Sequence, residues 1–411
     1  MNANYKYTIL AVCSVFLGLV YITMSSWGIC LPELQKAFNL SSFMVMMGSG
    51  ALIAGYAVGS FVEGRLMAQH GWRKVFNAVM VIFVVATVLI PLVENYPFIL
   101  LLRFLQGCGL VVTITNTLVC GWFPTQQRGL ASGFLLGFIA VGVAIGSVIT
   151  AYTTPLYGWK FNFYLMAALT VVGMVVFNAL AKTPPEVIEG DIAAGGGEAM
   201  IKIPEGKSIY GHPVMILLGL GMFCVFFNVY GMYSFMAGYF YDLGFTTEQV
   251  GAMGFWNGMI GLLSTPFGGW IGDVFVRKGV HPIKARAYTM SVVAFLVGFI
   301  GCVLMPAMAP VSFGMAVFAA IVVGWGCPAA NGPICSLPAD IFGAKKGGEA
   351  VGFILLIAGL GGVISPPLVS YIAETAGWTV GWYVTGASAL VGFVIAVLLP
   401  VLSMPKTGSR S

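Results

Sequence analysis

The chain has 411 residues, of which 59% are hydrophobic and only 8% charged, with a mean hydropathy of +0.95 and a formal charge of +5. Soluble domains carry about 25% charged residues, so a water-soluble fold is excluded. Apolar runs of about 20 residues recur along the whole length without alternating, which excludes a large hidden core and an outer-membrane barrel. The fold class is an all-α integral membrane protein.

Hydropathy and punctuation predict twelve transmembrane helices. They fall at about 8–30, 43–63, 75–94, 97–121, 129–152 and 161–181, then 213–239, 247–271, 286–307, 311–334, 349–372 and 379–402. The first run is too long for a signal peptide and lacks a small-residue cleavage site, so it reads as a span. Between the sixth and seventh lies KTPPEVIEGDIAAGGGEAMIKIPEGKSIYGHP, whose Pro pair, Gly run and mixed charges mark a linker. Residues 1–182 form an N-terminal six-helix bundle, 183–210 a cytoplasmic linker and 211–411 a C-terminal six-helix bundle.

The halves repeat. Without a gap, the stretch from Gly129 aligns with that from Gly348, pairing Gly133 with Gly352, Phe134 with Phe353, Gly142 with Gly361, Gly158 with Gly377, Trp159 with Trp378 and Tyr164 with Tyr383. Two pseudo-symmetric bundles in parallel repeat are one way of building a central transport cavity.

Charge placement sets orientation. With the N-terminus inside, all basic residues fall on the cytoplasmic side except Lys36, Lys160 and Arg103. Topology thereby explains the positive charge, and no nucleic-acid partner is implied. The expected location is the cell (inner) membrane, multi-pass, with both termini cytoplasmic. The eight cysteines are scattered singly, with no metal-type spacing, and read as packing residues. The acids read as residues of helix ends, loops and the linker, which leaves no mid-membrane proton relay; Glu33, near the outer mouth, is the nearest candidate.

Arg103 is the one deeply placed charge, alone in an apolar run from Tyr96 to Trp122. A cation there costs at least about 2.5–3.5 kcal/mol, so a partner, a wet cavity or a task must compensate. Gln106, Gly107 and Gly109 follow it and allow close approach.

LLLRFLQGCG, Leu100 to Gly109, is similar to the helix 4 motif of the major facilitator superfamily, and the resemblance covers essentially the whole chain. The loop GRLMAQHGWRK keeps that family's Gly64, Gly71, Arg73 and Lys74, while Ala68 and Gln69 replace the expected acid and base. Its second copy, GWIGDVFVRKG, keeps Gly269, Asp273, Arg277 and Lys278. The resemblance implies that these loops hold a cytoplasmic gate, with Glu63 a substitute for the missing acid. Helix 5 has Gly133, Gly137, Gly142 and Gly146 but Ser147 where the antiporter motif has Pro. A weaker likeness, through WFPTQQRGLASGF and DIFGAKKGGEAVGF, is to the oxalate/formate–monocarboxylate and anion:cation symporter branches. Helices 8 and 11 lack the basic residues of the oxalate type, which argues against a clamped dianion.

Family architecture puts helices 1, 4, 7 and 10 around the cavity. The implied substrate-binding set is Arg103, Gln106 and Thr113, with Tyr21 and Ser25 of helix 1, Asn228 and Tyr233 of helix 7, Trp256 and Asn257 of helix 8, and Asn331 of helix 10. Along helix 4, at about 100° per residue, Gln106, Leu110, Thr113 and Thr117 stay near the Arg103 face. The expectation is a monomeric secondary transporter for a small organic anion, a monocarboxylate, working by alternating access as proton symport or anion exchange. Efflux of hydrophobic or cationic compounds is the alternative, favoured by 13% aromatic residues and 21 methionines. No cofactor, metal or enzymatic constellation stands out.

Overall fold

Among the residues that the computed structural model describes, twelve helices are long and apolar enough to cross a membrane. Spans 1 to 6 are Tyr5–Ile29, Ser42–Glu63, Trp72–Leu92, Tyr96–Val119, Gly133–Tyr157 and Trp159–Leu180. Spans 7 to 12 are Pro213–Asp242, Thr247–Arg277, Pro282–Met308, Phe313–Cys335, Phe353–Ala376 and Trp378–Leu402. The structure describes residues 5–123, 125–183, 210–342 and 344–403, without the side chains at 64, 65, 68, 120, 125–130, 132, 336, 338–340, 342, 344–352 and 403. Most of the expected linker therefore lies outside the described residues. The described chain contains no strand.

An even number of crossings returns the chain to the face it started from, here called the terminal face; the other is the distal face. Short capped loops join the spans there. Ser41 accepts from the Met44 N–H at 3.3 Å, Asn95 from Phe98 N–H at 3.1 Å and Ser312 from Met315 N–H at 3.3 Å, each satisfying a donor that the first helical turn leaves over. Thr246 and Gln249 form a reciprocal capping box at span 8. The repeat is structural as well as sequential. Gly158 and Gly377 occupy the same left-handed conformation, φ +76° and +88°, and each is followed by the Trp that starts the next span.

Three local features depart from twelve simple helices. A short helix, Leu31–Phe38, lies between spans 1 and 2 on the distal face. Span 4 is broken: a helix ends at Gly107, Val111 is left-handed at φ +46°, and a second helix resumes at Val112. A β-branched residue in that region is strained and needs its surroundings to hold it. Span 10 breaks after Trp325 into a 3₁₀ turn, Cys327–Ala330, before a helix resumes at Asn331. The ungapped register that pairs Gly129 with Gly348 also pairs Gly107 with Gly326, so the two breaks are repeat mates.

The two bundles meet along spans 5 and 8 and along spans 2 and 11. Small residues let the backbones close: Ala140, Ala144 and Ser147 face Gly258 and Gly254, and a Cβ on Gly258 would sit 2.6 Å from the Ala140 carbonyl oxygen. Two hydrogen bonds tie the bundles near the distal face. Tyr241 of span 7 donates to the Ile29 carbonyl at 2.8 Å, and the Phe43 N–H at the start of span 2 donates to Glu374 of span 11 at 2.8 Å. The distal half is packed shut.

Candidate functional site

Arg103 is completely buried, on the first helix of span 4. Its Nε donates to the Gly48 carbonyl of span 2 at 3.2 Å, and its Nη1 to Gln106 Oε1 at 2.5 Å. The Gln106 amide donates to Thr87 of span 3 at 2.8 Å, and Thr87 to the Phe83 carbonyl at 2.6 Å. The guanidinium lies 4.5 Å from the centre of the Trp27 ring of span 1, whose N–H donates to the Val45 carbonyl at 2.8 Å. Neutral acceptors and a π face thus hold the cation, with four spans contributing. The remaining nitrogen, Nη2, is buried without a partner. Among the described residues no carboxylate pairs with this arginine.

A small cavity of about 20 Å³ lies between the bundles in the distal half. Ser25 and Ile29 of span 1, Ser147 of span 5, Tyr233 and Met236 of span 7 and Asn257 of span 8 line it. Ser25 donates to the Val143 carbonyl at 3.0 Å, and Asn257 donates to the Ala320 carbonyl at 2.8 Å while its carbonyl oxygen is buried and unpartnered. A space of this size holds about one water. Among the described residues, no charged side chain lines it.

The expected set therefore divides. Ser25, Tyr233 and Asn257 meet at the cavity; Arg103 and Gln106 form a separate cage inside the first bundle and do not line it. Tyr21, fully buried, sits beside Tyr230, which packs against Tyr56 with ring centres 6.3 Å apart. Three expectations meet a different geometry here. Asn228 is turned into its own bundle, donating to Ser388 at 2.6 Å and to the Cys224 carbonyl at 2.9 Å. Trp256 is 48% exposed, on one outward stripe with Leu263, Phe267 and Trp270, because one position from Asn257 is about 100° around the helix. The shared face drawn along span 4 fails at its break: Leu110 is fully buried in the core, Thr113 is half-buried beyond the break, and Thr117 is exposed. Asn331 is half-buried at the start of the resumed helix in span 10 and lies apart from the cavity lining.

The loop residues named for a gate make contacts within their own bundles. Gly71 has φ +78° between spans 2 and 3, and exposed Lys74 follows it in span 3. Arg73 donates to the Ala181 carbonyl at 2.7 Å. With Tyr5, Trp72 and Trp122 donating to Leu180, Thr183 and Lys182, it pins the chain as it leaves span 6. Asp273 pairs with Arg286 of span 9 at 3.6 Å, and Arg277 donates back to the Asp273 carbonyl at 3.4 Å. The Gly64 position is outside the described side chains.

Of the acids, Glu33 keeps the helix-end place expected for it and Glu63 does not. Glu33 accepts from the Trp159 N–H at 2.7 Å and so caps span 6. Glu63 is not at a wet helix end: it is 2% exposed, and its Oε2 is buried without a partner. The Gly55–Gly59–Glu63 spacing carried the signal for that burial, since it puts all three on one helix face.

Two six-helix bundles facing each other across glycine-lined seams, with a caged cation in one, are the architecture of a membrane transporter. The family model of the Major Facilitator Superfamily matches residues 13–308 and 218–411, and the chain belongs to that family. It is 22% identical to the hexuronate transporter of Bacillus subtilis over 405 residues, covering 94% of this chain and 93% of the relative. It is 23% identical to the probable sulfoacetate transporter of Cupriavidus necator, covering 99% and 96%. Among solved structures, a bacterial homologue of the human lysosomal transporter Spinster, in an inward-facing and unoccupied conformation, superposes with a TM-score of 0.74 at 15% identity, covering 97% of this chain and 98% of that one. At that identity the likeness concerns the fold.

Proposed function

We propose that this chain is a monomeric secondary transporter that carries a small organic anion, a monocarboxylate, across the cell's inner membrane by alternating access, with both termini in the cytoplasm. The observation that supports it is Arg103: a buried cation with no carboxylate partner among the described residues and one nitrogen unspent. A fixed positive charge in low dielectric favours an anionic ligand. The relatives named for hexuronate and sulfoacetate, both anions, point the same way. In this reading Arg103 neutralises the carboxylate, Gln106 orients it, and Ser25, Tyr233, Asn257, Tyr21, Thr113 and Asn331 line the path opened when the bundles part. The loops with Gly64, Gly71, Arg73, Lys74, Asp273 and Arg277 steady the terminal-face gate. The cavity's size supports a cycle in which substrate enters only after the seams separate.

The uncharged lining of that cavity, with Met232, Met236 and Phe240, favours a second reading, export of hydrophobic compounds. Thermal stabilisation of the purified protein by a panel of monocarboxylates, dicarboxylates, sugars and lipophilic cations separates the two. A ligand at 100 times its Kd adds about 2.7 kcal/mol of stability. The first reading expects monocarboxylates to stabilise the parent and lose their effect in Arg103→Lys, which keeps the charge but not the fork. Stabilisation by lipophilic cations, indifferent to that substitution, hands the site to export.

A further inference from the structure

Glu63 is a buried titratable group that the transport scheme above does not use. It sits one turn beyond Gly59 in span 2, and Gly59 is pressed against span 4 so tightly that an added Cβ would lie 2.6 Å from the Cys108 Cα. Residues four apart share a helix face, so Glu63 faces the same neighbour, at the level where span 4 breaks between Cys108 and Val112. The residue is 2% exposed, its Oε2 is buried without a partner, and it makes no salt bridge among the described residues. Among the described residues, the titratable groups near enough to sense its charge are Cys108 from span 4, Tyr56 from its own span and Tyr21 from span 1. None is a cation. Arg103 is no counter-charge, since its hold on span 2 is at Gly48, about 22 Å further along the helix at 1.5 Å per residue.

An ionised carboxylate buried without a partner is far costlier than the neutral acid. We propose that Glu63 is a proton-binding site: it holds a proton in this distal-closed state and gives it up when the groove between spans 2 and 4 is wetted during the cycle. The step is a plain proton exchange. An O–H bond forms on the carboxylate from a hydronium or water proton, and the same bond breaks when water takes the proton back, with no change in oxidation state. This extends the transport reading from an anion alone to an anion travelling with a proton, and it rests on that reading only for the substrate.

The test needs no substrate, so it stands or falls separately from the ligand panel. The apparent Tm of the purified full-length protein is followed from about pH 5 to about pH 9, because a folded state that binds a proton more tightly than the unfolded chain loses stability as pH rises. The parent Tm is expected to fall across that range, while Glu63→Gln, a mimic of the protonated form, is expected to stay flat and to match the parent's acid-side value. An unchanged slope in Glu63→Gln overturns the proposal. Infrared spectroscopy of the unsubstituted protein supplies a second readout. A carboxylic-acid C=O band at neutral pH that Glu63→Gln removes supports the site, and the absence of such a band in the parent overturns it even if the variant fails to fold.

Discussion

Arg103 and Glu63 are two charges buried in the same bundle, on adjoining spans, and the structure treats them oppositely. Arg103 is surrounded by acceptors chosen for a guanidinium: the Gly48 carbonyl, the Gln106 amide oxygen and the face of Trp27. Glu63 Oε2 has no donor among the described residues, although it is as well shielded. A caged charge stays ionised, because its neighbours hold it so, and Nη2 is left over for an anion once the bundles part. An uncaged one is comfortable only when neutral, which makes it responsive to anything that lets water in. The contrast predicts that substitutions at the first act on stability and those at the second on pH dependence.

The largest expected effect is Arg103→Ala. It empties a volume lined by Trp27, Gly48 and Gln106 and strands the Gln106 carbonyl, so unfolding should become easier by about 3–5 kcal/mol, as for other large buried side chains. Denaturant or thermal unfolding in detergent measures it. Glu63→Gln should not lower stability at neutral pH; equal losses at both sites would break the comparison.

Next comes Gly107→Ala, which attacks the seam both charges share. A Cβ there collides with the Leu52 carbonyl of span 2, so the spans must separate. About 1–3 kcal/mol is expected for such overpacking. If the helices part enough to wet Glu63, the pH slope of stability should also shrink, a result that ties the proton site to the packing. A smaller effect, about 1–2 kcal/mol, is expected for Thr87→Val, which removes the outermost bond of the Arg103 cage and the hydroxyl's own bond to the Phe83 carbonyl. Loss well above that would mean that Thr87 sets the Gln106 orientation for the whole cage.

Much of the frame was legible from residues alone. Twelve apolar runs, a Gly–Trp repeat and one lone cation are enough for the spans, the duplication and the depth of Arg103. The misses have physical causes. A helical wheel assumes an unbroken helix, and span 4 turns at Cys108–Val111, so Thr113 and Thr117 lost their phase relation to Arg103. The Gly-Cys-Gly of 107–109 and the Gly-Cys-Pro of 326–328 held the signal, but glycines are so common here that two of them read as packing. Glu63 looked like a helix end because hydropathy stops there, whereas span 2 continues as a helix to His70 and carries the carboxyl under span 4. Which polar groups of spans 7 and 8 share a cavity depends on rotation about each axis, and a family architecture names helices, not faces.

Trp256 carries the smallest prediction, and it tests that last point. It is adjacent to Asn257 in sequence, yet the structure sends Asn257 to the cavity and Trp256 to the outward stripe. In a membrane that stripe meets lipid, where one apolar side chain replaces another at little cost. Trp256→Leu should therefore change stability by less than about 0.5 kcal/mol, the range of surface substitutions away from special features. Ligand-induced stabilisation should be unaltered, whereas Asn257→Leu at the next position should reduce it. If Trp256→Leu abolishes ligand stabilisation at unchanged Tm, span 8 must rotate during the cycle to bring its outward stripe to the substrate. In that event the contrast between a fixed and a responsive site would apply to whole helices as well as to the two charges.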